Sequence, residues 1–140
     1  MPTTTEPMAA VRHFIDSFNK GDAASMAVVC DAPMSILDGM APHVWHGPTA
    51  TQDWYRDVLS EGEHQGASGY FVELGEPWHV AVTGDRAYVA VPATMLVTVK
   101  GKRMKQSGSV FVVTLRQVGS NWRLMSWAWA KGTQIEVIKQ

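Results

Sequence analysis

Asp38 is the residue of this chain best suited to acid–base chemistry. It follows an apolar stretch, Met34-Ser35-Ile36-Leu37, that is typical of a short strand, so its carboxylate could stand at the wall of a hydrophobic cavity. Removing water from a carboxylate makes it a stronger base, which general acid–base catalysis near neutral pH requires. Asp38 also precedes Gly39, and Asp-Gly pairs are common in turns. The pattern therefore predicts either a pocket residue or a turn cap.

Two histidines follow Asp38 in a segment, 39–46, whose glycine and proline predict a loop. Either His43 or His46 could act as an acid or base, or bind a ligand through a hydrogen bond. The alternative is a surface loop with two solvated imidazoles. Because no third ligand lies close to this pair in sequence, we expect no metal site. No phosphate loop or dinucleotide motif is present, and we expect no cofactor.

Length, charge and cysteine content limit the class of protein. A chain of 140 residues fits one domain, here 1–140, and can bury a core without disulfides or metal. The formal net charge of -1 provides no basic face, so we expect no nucleic-acid partner. The sequence has no apolar run long enough to cross a bilayer, so we expect no membrane span. The single cysteine, Cys30, is compatible with a reducing compartment, and we expect a cytoplasmic protein.

Helical spacing dominates the first half of the chain. Val11, Phe14, Ile15 and Phe18 form one apolar stripe, which predicts a helix over about 6–20. A second, shorter helix is predicted after Asp22, which can cap it, and a third over 47–59. On the third helix, Trp54 and its neighbour Tyr55 can share the inner side. If the Tyr55 hydroxyl is buried it needs a partner, and Asp38 is the one we expect.

The second half of the chain has the period of β-strands, with glycine-containing turns between them. Strands are predicted at 70–74, 78–82, 86–99, 103–117 and 122–130. Pro92 and Gly108 interrupt two of these strands, which is typical of an edge, a bulge or a bend. Helices followed by strands favour an α+β fold. We expect a strongly curved sheet whose concave side the helices close into an apolar pocket.

Three stretches of the sequence resemble the nuclear-transport-factor-two-like superfamily, which includes ketosteroid isomerases and SnoaL-like domains. They are Phe14-Ile15-Asp16-Ser17-Phe18-Asn19-Lys20-Gly21-Asp22, the helix that starts at Gly47-Pro48-Thr49, and Val118-Gly119-Ser120-Asn121-Trp122-Arg123-Leu124-Met125. The resemblance covers nearly the whole chain. It implies a cone of about three N-terminal helices packed on a strongly curved, mixed, mainly antiparallel sheet. Because this fold carries many functions, the resemblance alone identifies no activity.

The first half is most similar to ketosteroid isomerase, and the match over about 6–59 needs no gap. It implies that Asp38 occupies the general-base position and Tyr55 that of a pocket tyrosine. The isomerase also has a tyrosine and a protonated acid in its oxyanion hole. Here Phe14 stands at the tyrosine position, and the stretch 102–117, where the acid belongs, has no Asp or Glu. We do not expect steroid isomerisation, because its main electrostatic stabilisation is missing.

The alternation of the last strand predicts which side chains face the pocket. The isomerase pattern implies that Ser126 and Ala128 face inward. Strict alternation then turns Met125, Trp127 and Trp129 outward. So much exposed apolar area predicts a homodimer joined through the outer face of the sheet. In the opposite arrangement, the last two tryptophans line the cavity and the first tryptophan of the strand lies outside.

Two classes of function remain open. The first is a cofactor-independent isomerase, hydro-lyase or cyclase that acts on an apolar small molecule, with Asp38 as general base and Tyr55 or His46 to orient or donate. The second is a non-catalytic module that binds a small ligand or only dimerises. In either class we expect ligand contacts at Phe14, Phe18, Met34, His43, Trp54, Phe111, Ser126 and Ala128.

Overall fold

The structure, a computed structural model, describes residues 3–138, in which two strands separate the second helix from the third and the remaining strands follow the third helix. Its elements are α1 (Pro7–Asn19), α2 (Ala23–Val28), β1 (Cys30–Leu37), β2 (Val44–Gly47), α3 (Ala50–Gln65), β3 (Ala67–Leu74), β4 (His79–Thr83), β5 (Arg86–Val99), β6 (Lys102–Val118), β7 (Asn121–Ala130) and β8 (Gln134–Val137). The α+β class expected from the sequence is confirmed.

The helices follow the local signals of the sequence, with one exception. The apolar stripe of α1 is buried, and Asp22 caps α2 by accepting a hydrogen bond from the Ser25 backbone at 3.0 Å. The exception is α3, which continues through Gly62 instead of ending near Leu59. A Cβ at Gly62 would lie 2.8 Å from the carbonyl oxygen of Ala67, so this glycine allows close packing and does not break the helix. No helix within residues 3–138 is both long and apolar enough to span a bilayer.

One mixed sheet contains all the strands of the described residues, in the order β2-β1-β7-β6-β5-β3, with β4 on β5 and β8 on β6. Between residues 3 and 138 only β1 and β7 pair in parallel, so the mixed, mainly antiparallel sheet is confirmed. The predicted loop 39–46 was wrong in part, because its end forms β2. Strands β2 and β8 have four residues each, and β8 is exposed throughout, so neither carries a long alternation that would reveal a strand.

The bend of the sheet lies where the sequence predicted it. Between the pairs Ala93–Ser109 and Met95–Gln106, β6 has one residue more than β5, and Gly108 adopts a φ of 81° there. On one side of the bend β5 pairs with β3, and on the other side it pairs with β4. This bulge curves the sheet around the helices and creates its concave face.

A second bulge, in β7, overturns the predicted facing of the last strand. Thr114 of β6 pairs with Ser126, but the next residue of β6 pairs with Leu124, so Met125 is an extra residue. The alternation therefore changes phase at Met125. Trp127, which was expected outside, is 3% exposed. Its ring centroid lies 6.0 Å from that of Phe14 on α1 and 4.9 Å from that of Trp54 on α3.

The surface proposed for a homodimer was therefore wrong for two of its three residues. Trp127 is buried under the helices, and Trp129, half-buried, lies 6.0 Å from the ring of Phe111 on the same inner face. Met125 is half-buried at the bulge itself. The homodimer as such stays a prediction, which sedimentation would test.

Replacing Trp127 with alanine tests its inward position. Removing a buried indole leaves a cavity, so Trp127→Ala should lower the free energy of unfolding by about 3–5 kcal/mol in urea. The matched control is Trp78→Ala, because Trp78 is 61% exposed and should change stability by less than about 1 kcal/mol. Similar small losses for the two variants would contradict the inward position.

Candidate functional site

A cavity of about 360 Å³ lies between α1, α3 and the concave face of the sheet. This volume is in the range of small-molecule sites, which are mostly apolar with a few polar groups. Six of its aromatic wall residues are Phe14, Phe18, Trp54, Phe111, Trp127 and Trp129. Its exposed rim is formed by Gly39, Ala41, Gln65 and Lys131. The site is therefore an aromatic pocket that opens to solvent at a more polar rim.

The aromatic wall is held together by ring contacts between four elements. Trp54 of α3 and Trp127 of β7 form a T-shaped pair with centroids 4.9 Å apart. Phe111 of β6 lies 5.4 Å from Trp127 and stacks on Phe14 at 6.1 Å. Such pairs stabilise by about 0.5–1.5 kcal/mol each beyond the burial of their area. The wall is thus well suited to contact a flat, apolar ring.

Asp38 is the carboxylate that stands against this wall. Its Oδ2 accepts a hydrogen bond from the indole N–H of Trp54 at 2.9 Å, and its Oδ1 accepts one from the backbone N–H of Gly39 at 2.7 Å. The side chain is half-buried and lines the cavity. The two bonds fix the orientation of the carboxylate. Each oxygen keeps acceptor capacity, so Asp38 can still take a proton from a bound molecule.

The loop after β1 positions Asp38. The Asp38 backbone N–H donates to the carbonyl of His43 at 3.0 Å, and the His43 N–H donates to the carbonyl of Met40 at 2.8 Å. His43 has a φ of 76°, and its ring Nδ1 lies 3.1 Å from the Asp38 carbonyl oxygen. The imidazole is exposed and does not line the cavity. His43 thus closes the loop that presents Asp38 and, unlike Asp38, lies outside the cavity lining.

Tyr55 and His46 are not brought together with Asp38. The hydroxyl of Tyr55 lies beside Gly21, where a Cβ would be 3.3 Å from it, and its ring packs edge-on against Phe18. Because neighbouring helix residues point about 100° apart, Trp54 takes the place at Asp38 that we expected for Tyr55. His46 is exposed on β2, where its Nδ1 lies 2.7 Å from the Ser35 hydroxyl.

Three further expected contacts also lie outside the cavity lining. Met34 is 1% exposed and belongs to the packed core. Ser126 hydrogen-bonds Thr114 of β6, and Ala128 shares its side of β7. The change of phase at the β7 bulge turns this pair away from the cavity and turns the tryptophans toward it.

Several polar residues line the cavity that the sequence did not single out. Glu61 of α3 and Tyr70 of β3 lie on one side, and Gln106 and Lys131 on another. Burial raises the pKa of Tyr70, and the negative charge of Glu61 raises it further, so the phenol stays protonated near neutral pH. Glu61 was missed because the helix was predicted to end at 59, whereas α3 continues to Gln65.

Other chemistries find little support among the described residues. Burial raises the pKa of Cys30 to about 12, and the thiol lies in the core. Its thiolate is therefore scarce at neutral pH. Within residues 3–138, no three His, Cys, Asp or Glu side chains converge as metal ligands would.

Comparison with known families gives one sequence match. The family model described as SnoaL-like domain matches residues 8–129. No curated protein matches the sequence significantly.

Solved structures match over nearly the whole fold. A hexachlorocyclohexane dehydrochlorinase from Novosphingobium barchaimii has a TM-score of 0.75 at 9% identity, covering 94% of this chain and 89% of that one. A ketosteroid isomerase-like protein from Erwinia carotovora atroseptica has a TM-score of 0.69 at 16% identity, covering 91% and 94%. An NTF2-like protein with a cystatin-like fold from Novosphingobium aromaticivorans has a TM-score of 0.68 at 18% identity, covering 87% and 77%. At these identities the likeness concerns the fold.

The hydrogen bond between Trp54 and Asp38 can be tested by a double-mutant cycle. Trp54→Phe removes the indole donor and Asp38→Ala removes the acceptor, and the cycle cancels the lost packing of each. We expect a coupling free energy of about 1–2 kcal/mol, as for a hydrogen bond to a charged group that is partly exposed. Urea unfolding of the four proteins measures it.

The matched control pairs Trp54→Phe with Asp57→Ala. Asp57 also lies on α3 but accepts its hydrogen bond from the indole of Trp45 at 2.8 Å. Its coupling to Trp54 should be close to zero. Equal coupling in the two cycles would contradict a specific bond between Trp54 and Asp38.

Proposed function

The chain belongs to the SnoaL-like domain family, and we propose that it binds an apolar, ring-containing small molecule and uses Asp38 as a general base on it. One observation carries the proposal: the Asp38 carboxylate lines an aromatic cavity while Trp54 and the Gly39 backbone hold both of its oxygens. A base fixed in this way has little freedom to lose when a ligand binds.

The chemistry suited to this arrangement is proton transfer from carbon. Asp38 removes a proton from the carbon next to a carbonyl group, and the electrons of the C–H bond form the double bond of an enolate. The protonated carboxyl then returns the proton to the same carbon or to another one. Isomerisation and elimination share this first step. The apolar walls keep water away from the intermediate, which strengthens the electrostatic interactions of the site.

A non-catalytic binding module is the second candidate. It is favoured by the cavity lining, in which no histidine occurs among the described residues and Phe14 takes the place where the isomerase has its oxyanion-hole tyrosine. Such a module would use the aromatic wall for affinity and Asp38 for orientation only.

Hydrogen–deuterium exchange of a simple ketone tests the two candidates. β-Tetralone is a bicyclic, apolar molecule with acidic C–H bonds next to its carbonyl. We expect the protein to accelerate the incorporation of deuterium from D₂O at the carbon next to the carbonyl. Proton NMR measures the rate through the loss of that C–H signal. Asp38→Asn should reduce the acceleration about 100-fold or more, because general-base catalysis typically contributes about 10²–10⁴-fold.

Glu61→Gln is the matched control, because Glu61 is a second carboxylate of the same lining. It should retain most of the acceleration. If the ketone binds and Asp38→Asn exchanges it as fast as the wild type does, the base role fails and the binding module is the better account.

A further inference from the structure

We propose that Lys131 binds an anionic oxygen of the ligand, so that the cavity takes apolar ring molecules that carry, or form during reaction, a negatively charged oxygen. The inference rests on the proposed function, because it concerns the same cavity. It adds the chemical class of the polar end of the ligand and the residue that would recognise it.

Lys131 is the only basic residue of the cavity lining within residues 3–138. The other charged residues of the lining are Asp38 and Glu61, which are both acidic. An anionic group bound in the cavity therefore has one place where charge favours it. That place is the rim, where Lys131 is exposed and water can reach the ammonium group.

The backbone at Lys131 is held firmly by its neighbour. The Gly132 N–H donates to the Ser109 hydroxyl at 2.9 Å, and the Gln106 side-chain amide donates to the Gly132 carbonyl at 3.1 Å. Both bonds are buried. A Cβ at Gly132 would lie 2.1 Å from the carbonyl oxygen of Ser107, so only glycine fits against β6. Hydrogen bonds from β6 thus hold both the N–H and the carbonyl of Gly132, and so fix the segment after β7.

The Lys131 side chain lies against the loop that carries Asp38. Its Cδ is 3.3 Å from the position that a Cβ on Gly39 would occupy. The apolar stem therefore covers the residue next to Asp38, and the charged end can reach toward solvent or a ligand.

The ammonium group of Lys131 takes part in none of the ion pairs of the described residues. Asp38 is the residue before Gly39, against which the Lys131 stem lies, but its two oxygens accept hydrogen bonds from Trp54 and the Gly39 N–H. A cation without a fixed carboxylate partner can bind an incoming anion without first breaking an ion pair. With Asp38 beside it, it would stabilise an oxyanion formed when Asp38 takes a proton.

Two fluorescent dyes that differ by one anionic group test this inference. Anilinonaphthalene sulfonate (ANS) and N-phenylnaphthylamine (NPN) share their ring system, but only ANS carries a sulfonate. Lys131→Met should weaken ANS binding about three- to tenfold, as expected for a charge-assisted contact at a partly exposed site, and leave NPN binding unchanged. Lys131→Glu should weaken ANS further. Dye titrations at low and high salt give the dissociation constants.

Lys105→Met is the matched control, because Lys105 is half-buried, pairs with Glu136 on β8 and does not line the cavity. It should alter neither dye. If NPN binds and Lys131→Met leaves the ratio of ANS to NPN affinity at its wild-type value, the anion role of Lys131 is overturned while the proposed function stands. If NPN does not bind the wild type, the inference falls together with the proposed function.

Discussion

The extra residue at Met125 decides which side chains the sheet presents to the helices. On β6 the inward positions keep strict alternation, with Phe111, Val113 and Leu115 all nearly inaccessible. On β7 the matching partners are Trp129, Trp127 and Leu124, which no strict alternation can place on one face. The bulge resolves this conflict. Side chains from both ends of β7 therefore point toward the helices. Leu124 belongs to the core, and Trp127 and Trp129 line the cavity.

The arrangement of Asp38 depends on that change of phase. Trp127 packs edge to face with Trp54, and the Trp54 indole then reaches the Asp38 carboxylate. The ring contact with Trp127 thus orients the Trp54 indole, and the indole N–H in turn orients the Asp38 carboxylate. The bend at Gly108 provides the concave face, and the pinned segment at Gly132 brings a cation to its rim. The basic group of the site therefore lies where the cavity opens, and aromatic rings form much of the wall behind it.

Local signals were enough for the class of fold and for Asp38, but not for the partners of Asp38. Helix stripes, turn residues and the interruptions at Pro92 and Gly108 have direct physical causes within a few residues, so the sequence reveals them. The bulge at Met125 has no such local mark, because any residue type can occupy it, and only pairing with β6 makes it necessary. Lys131 was missed for the same reason: its place at the rim follows from long-range contacts of Gly132.

A crystal structure of the protein soaked with N-phenylnaphthylamine tests the central claim most directly. The claim is that the bulge in β7 turns Trp127 and Trp129 inward and so builds an aromatic cavity with Asp38 at its wall. We predict ring density against Trp54 and Trp127, with the Asp38 carboxylate still bonded to the Trp54 indole. Trp127 on the outer face of the sheet, or Asp38 turned to solvent with the dye bound elsewhere, would contradict the account.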